Sequence, residues 1–125
     1  MIEKTNSILH ILSPKISLKY SEIKRLYAKD LVRERHIARA IRAAVFDKLK
    51  SGNERAEFLK KLFNGKDVKS DLNNEAALEN EIRANLLKAG GSAFVPEDPE
   101  TFLPLPEIIE IVLDAGGIPC YPVLL

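Results

Sequence analysis

The limits on this sequence come first from what it has little of. A single cysteine, Cys120, can close no internal disulfide and build no multi-cysteine zinc site, which fits a reducing compartment, so a cytoplasmic location is expected. No apolar run approaches the roughly 20 residues that cross a bilayer, and Met1 to Asn6 lacks the basic segment, apolar block and cleavage site of a secretory leader. A soluble chain with no membrane partner is the expectation. Charge of one sign is also missing: 19 Lys and Arg against 18 Asp and Glu leave a net charge of +1. No global field draws nucleic acid or anionic lipid, and only a local patch would do so.

What remains is globular in character. With 125 residues, 46% hydrophobic and 30% charged, the chain suits one core burying roughly two thirds of its unfolded surface. Ile8, Leu9 and Leu12 stripe a first helix over Ile2 to Leu12, which Ser13-Pro14 breaks. That helix starts at the initiator methionine with no capping residue before it, as expected either of a cut end within a larger protein or of a disordered start. Ser17 is placed to cap a second helix carrying Leu18, Ile23, Leu26 and Tyr27, with its exit at Lys29-Asp30. The strongest pattern follows: Ile37, Ile41, Val45 and Leu49 recur every fourth residue over Arg33 to Lys50. Gly52 is predicted to end this helix in a left-handed conformation, and Asn53 to cap a fourth that runs to Asn64-Gly65. Leu78, Ile82, Leu86 and Ala89 stripe a fifth, which stops at Gly90-Gly91.

Composition then changes. Four prolines between Ser92 and Pro106 predict an irregular connection, since each removes an amide donor. Pro106 opens a last helix, Glu107 to Ala115, apolar on more than one side and so in want of burial on two faces. Beyond Gly116-Gly117, the run from Ile118 to Leu125 reads as a buried strand without a partner, which would pair with a second copy or with a sheet elsewhere. The organisation is thus a helical domain over 1–91, a connection over 92–105, and a helix with a returning strand over 106–125: a mainly α fold of five to six helices with a short C-terminal strand.

Two stretches carry a resemblance. Arg35-His36-Ile37-Ala38-Arg39-Ala40-Ile41 resembles the segment that opens a helix in the PHP family, the polymerase and histidinol phosphatase metal-dependent phosphoesterases. Pro106 to Pro119, with its Ala115-Gly116-Gly117 turn, is similar to that family's later helix, turn and returning strand. The resemblance implies the helical insertion of a distorted α/β barrel. Zinc, manganese or iron would be held by His-x-His and other ligands elsewhere in a full-length parent, to lower the pKa of a bound water and clamp phosphoryl oxygens. This chain has only His10 and His36 and no His-x-His. Where the family commonly places Leu-Ala-His-Pro, with a metal-binding histidine, the sequence reads Cys120-Tyr121-Pro122-Val123-Leu124-Leu125. The implied role is therefore a cap that shapes a parent's substrate site, with no catalytic or metal-binding residue in the chain itself.

By the same resemblance His36 would stand at the mouth of the active site, where Arg33, Arg35 and Arg39 join it as candidate ligands for the phosphate of a small molecule. The alternative is a partly buried histidine that caps local hydrogen bonds. Glu34 stands where the family often has an arginine, and its carboxylate repels phosphate. Arg35, Arg39 and Arg42 fall on one helical stripe, which is either an anion track or a solvated face paired with neighbouring acids. Cys120 reads as an inert buried thiol, and Glu107 and Glu110 as favourable charges at a helix start. Two other classes stay open: a stand-alone interaction module docking through the C-terminal strand, and a weak nucleic-acid-binding helical domain, against which the balanced charge argues.

Overall fold

A computed structural model describes residues 1–123. The chain is mainly α-helical, with six α-helices and no strand among the described residues. It divides into two compact units, Met1–Val95 and Pro96–Leu125.

The first unit holds α1 (Ile2–Leu12), α2 (Tyr20–Tyr27), α3 (Glu34–Lys48), α4 (Gly52–Leu62) and α5 (Glu75–Ile82), the last continued by a π-helical turn over Arg83–Leu87. Their apolar stripes meet in one core in which Leu9, Ile41, Val45, Leu59, Ile82 and Leu86 are fully buried. Side-chain clamps between helices add direction to this burial. Asn6 of α1 donates to the Leu18 carbonyl at 2.8 Å and accepts from the Leu18 N–H at 2.7 Å, so one amide satisfies both backbone groups of the approach to α2. Lys19, extended at φ −117° and ψ 126°, and not Ser17, occupies the cap position of α2.

The α3–α4 corner departs from expectation. Gly52 does not end α3; it is the first residue of α4, and Ser51, not Asn53, caps that helix by accepting from the Glu54 N–H. The last carbonyls of α3 are satisfied from outside the helix. Arg55 reaches back to donate to Leu49 O at 2.8 Å and Phe46 O at 3.2 Å, with its guanidinium over the Phe46 ring. A guanidinium with several donors does here what a left-handed glycine was expected to do. At the other end of α4 the left-handed pair is present, Asn64 at φ 57° and Gly65 at φ 90°.

Glu81 organises the loop before α5, accepting from the N–H groups of Lys69 at 2.7 Å and Ser70 at 2.8 Å. Partial burial alone would raise its pKa; hydrogen bonds from the Ser70 side chain and from both backbone amides, with the Lys69 charge, outweigh this and hold it below the usual carboxylate value. After α5 the π-helical turn closes with Lys88 N–H on Arg83 O, and the chain folds back so that Ala93 N–H meets Leu86 O at 3.0 Å. Gly91 is required there. A Cβ at this position would overlap the Leu86 carbonyl.

The second unit contains a 3₁₀ turn, Pro99–Thr101, and α6 (Leu105–Asp114), which starts two residues earlier than the pattern predicts, with Pro106 one residue inside. Among the described residues of α6 none is buried, so its own unit does not supply the two-sided burial expected of it. Nor does the predicted strand form over its described part: Ile118 to Val123 has no ladder partner, and Pro119 and Pro122 cannot donate to one. Cys120, expected to be buried, is exposed for that reason. Leu124 and Leu125 of the predicted strand lie outside the described residues.

Candidate functional site

The site is built where the chain enters α3. Arg33 is the cap residue, extended at φ −118° and ψ 167°, and it lacks the short acceptor side chain that normally satisfies the first amides. His36, three residues inside, substitutes in part: its Nδ1 accepts from the Arg33 N–H at 3.0 Å. An accepting Nδ1 requires the neutral tautomer with its proton on Nε2. The Nε of Arg35, 3.4 Å from that Nε2, is therefore a close like-polarity neighbour and not a second donor.

The electrostatics agree with a neutral ring. Burial lowers the His36 pKa below its ordinary value, the charges of Arg35, Arg33 and Arg39 lower it further, and only a hydrogen bond to the Leu31 backbone opposes them. A neutral His36 with Nδ1 occupied holds the start of α3 in shape. It is the local capping arrangement in which this side chain is observed.

Beside this entry lies an open cleft of about 520 Å³, lined by Val32, Arg33, Glu34, Arg35, Ile37 and Arg83, with Met1 completing the wall. Of the four residues singled out from the sequence, Arg33 and Arg35 line it and His36 and Arg39 do not. Arg39 instead lays its guanidinium over the Tyr27 ring, 5.4 Å from the centroid. Arg42, the third member of the supposed stripe, is no surface cation at all. Its side chain is 12% exposed and pairs with Glu79 at 2.8 Å and Glu75 at 3.4 Å, locking α3 to α5.

Arg83 is the residue that sequence reasoning missed. It opens the π-helical turn and reaches the cleft across the α3–α5 contact. Its hold on neighbours is loose: Nη1 lies 3.3 Å from Asn80 Oδ1, Nη2 lies 3.9 Å from the Glu34 carboxylate, and the enclosed Nε has no hydrogen-bond partner. The contrast with Arg42 is chemical. Arg42 is engaged by carboxylates, whereas Arg83 has donors to spare. Three arginines and one glutamate thus line the cleft, and Glu34, expected to repel an anion, is drawn toward Arg83. No signal along the chain marks Arg83, because its partners are brought up by packing.

Among the described residues no group of three or more His, Cys, Asp or Glu side chains comes together, and His36 already spends Nδ1 on the Arg33 amide. These residues do not fit a metal centre. Among the described residues no helix is long and apolar enough to cross a membrane. In comparison with known proteins, no family model matches the chain, and no curated protein or solved structure matches it either.

Proposed function

We propose that this chain is the helical insertion of a PHP-type metal-dependent phosphoesterase, shaping the substrate end of an active site whose metal ligands lie in other parts of a larger protein, and that it does not hydrolyse phosphate esters alone. The observation that supports this reading is the cleft at the start of α3, where Arg33, Arg35 and Arg83 outnumber Glu34. Planar guanidinium forks match phosphate oxygens, and a half-open pocket lets a second body close over the ligand. In that role His36 keeps the α3 entry rigid so that Arg33 and Arg35 stay in place.

The test uses purified 1–125 with a chromogenic phosphate monoester and zinc or manganese. No turnover is expected, together with shifts of the Arg33 to Arg35 amide resonances on adding inorganic phosphate. Metal-dependent turnover that survives repurification and is lost on chelation would overturn the reading, as would flanking gene sequence without a His-x-His strand upstream and an Asp-x-His downstream.

One observation favours a second reading, an interaction module. Leu105, Ile111 and Leu113 of α6 are each more than half exposed. A second copy would cover them in a symmetric dimer. Light scattering across a concentration series separates the two, since a monomer at every concentration is incompatible with the module acting through self-association.

A further inference from the structure

The balanced charge of the chain is an average over two unlike units. Of its 18 acidic residues six fall in Pro96–Leu125 and none of its 19 Lys and Arg do, so a net charge of +1 divides into −6 for the second unit and +7 for the first. On α6 the acids Glu107, Glu110 and Asp114 recur at spacings of three and four, and Ile108 and Ile111 recur three apart beside them. The helix therefore carries an acidic stripe next to an apolar one, and both lie open. Two such helices laid face to face bring like charges together at the rim of their interface, which costs affinity.

The complementary surface lies on the first unit, where α2 passes into α3. Lys24, Arg25, Lys29, Arg33, Arg35 and Arg39 are all exposed, and among the described residues none of the six forms an ion pair. The members on α3 stand close together and close to α2. Arg39 lies over the Tyr27 ring, and, after burial, the charges of Arg35, Arg33 and Arg39 lower the pKa of the His36 they surround. The same stretch holds two acids, Asp30 and Glu34, the second drawn to Arg83. Leu26 and Leu31 sit among these cations, each more than half exposed. A nucleic-acid backbone would satisfy the charges and leave both leucines in water, whereas an acidic amphipathic helix meets charge and apolar surface together.

We propose that α6 of one copy docks on the 24–39 surface of a second copy, its carboxylates on the exposed cations and Ile108 and Ile111 against Leu26 and Leu31. Two such contacts exchanged between a pair of chains close a symmetric dimer. The proposal rests on the interaction-module reading and adds which surfaces meet.

The experiment measures self-association of the full chain by sedimentation equilibrium. A dimer is expected whose Kd rises about tenfold or more when NaCl goes from about 0.1 M to about 1 M, because the screening length falls from about 10 Å to about 3 Å. The double variant Lys24→Glu, Arg25→Glu reverses two exposed cations outside the cationic cleft, and the double variant Glu107→Lys, Glu110→Lys reverses two acids on a helix with no buried residue. Each should weaken the dimer about tenfold or more with unchanged helical circular dichroism. An equimolar mixture of the two variants should form a heterodimer about as tight as the parent, since a reversed patch then faces a reversed helix. Failure of that mixture to associate overturns the proposal. A dimer that tightens with salt and ignores the Lys24 and Arg25 reversals places α6 on α6; it overturns the proposal and leaves the interaction module standing. A monomer at every concentration overturns both. A monomer that binds a single-stranded oligonucleotide, and loses it when Lys24 and Arg25 are reversed, overturns both as well and assigns the patch to nucleic acid.

Discussion

Replacing Arg42 with alanine distinguishes a structural cation from a member of a solvated stripe. An ion pair between exposed side chains contributes about 0–1 kcal/mol, whereas breaking a buried pair costs about 3–5 kcal/mol because the surviving charge is stranded. The Arg42 side chain is 12% exposed and that of Glu79 22%, with 2.8 Å between them, while Glu75 at 67% exposure is largely screened. The pair with Glu79 therefore lies between the limits, and Arg42→Ala is expected to cost about 2 kcal/mol. For a unit of this size that lowers Tm by about 10 °C. In urea, followed by helical circular dichroism, the midpoint should fall by about 1 M with an unchanged slope. Glu79→Gln alone should cost less, and the double variant should show a coupling of about 1 kcal/mol or more. Arg42→Met retains an unbranched aliphatic stem, removes the guanidinium that lies over the Phe46 ring, and separates packing from charge. If Arg42→Ala costs under about 0.5 kcal/mol with no coupling to Glu79, the α3–α5 clamp is not a stabilising contact and the argument from burial fails.

Three further outcomes are expected. Gly91→Ala should destabilise the first unit by about 2 kcal/mol or more, because the new methyl would overlap the Leu86 carbonyl where the chain folds back; a melting temperature within a degree of the parent would refute the close approach. Asn6→Ala strands the Leu18 N–H and C=O together and should cost about 2 kcal/mol in urea denaturation, with Asn6→Asp recovering less than the parent because a carboxylate only accepts. His36 gives a pH dependence: its folded pKa lies below the unfolded value, so the unfolded chain binds the extra proton, and stability is fully present above about pH 6.5 and lost as pH falls through the folded pKa. Denaturation between pH 7 and 5 should show this decline in the parent and a flatter profile in His36→Gln.

How much of this was legible beforehand depends on how local each cause is. The spans of α1 and α3 follow from apolar residues spaced along a single helix, and the chain's mainly helical character follows with them. The α3–α4 corner differs from its sequence pattern because Ser51-Gly52 looks like a stop, while the groups that need satisfying at the end of α3 are met by Arg55, a residue of the next helix. The expected strand failed over its described part for the opposite reason: strand character needs a partner, and Ile118 to Val123 has none among the described residues. At the site, Arg33 and Arg35 were legible as neighbours of a helix start, whereas Arg83 was not.

The sequence by itself determined the helices, the balance of charge and the crowding of cations around His36, since all of these are set by residues within a few turns of one another. Tertiary structure alone decided what each cation does. Packing α3 against α5 and its π-helical turn hands Arg42 to Glu79 and Glu75, and brings Arg83 to the cleft that Arg33 and Arg35 line, with its enclosed Nε unpartnered. Pairing of charges is a matter of distance through space, and distance between helices is fixed only when their apolar faces have met.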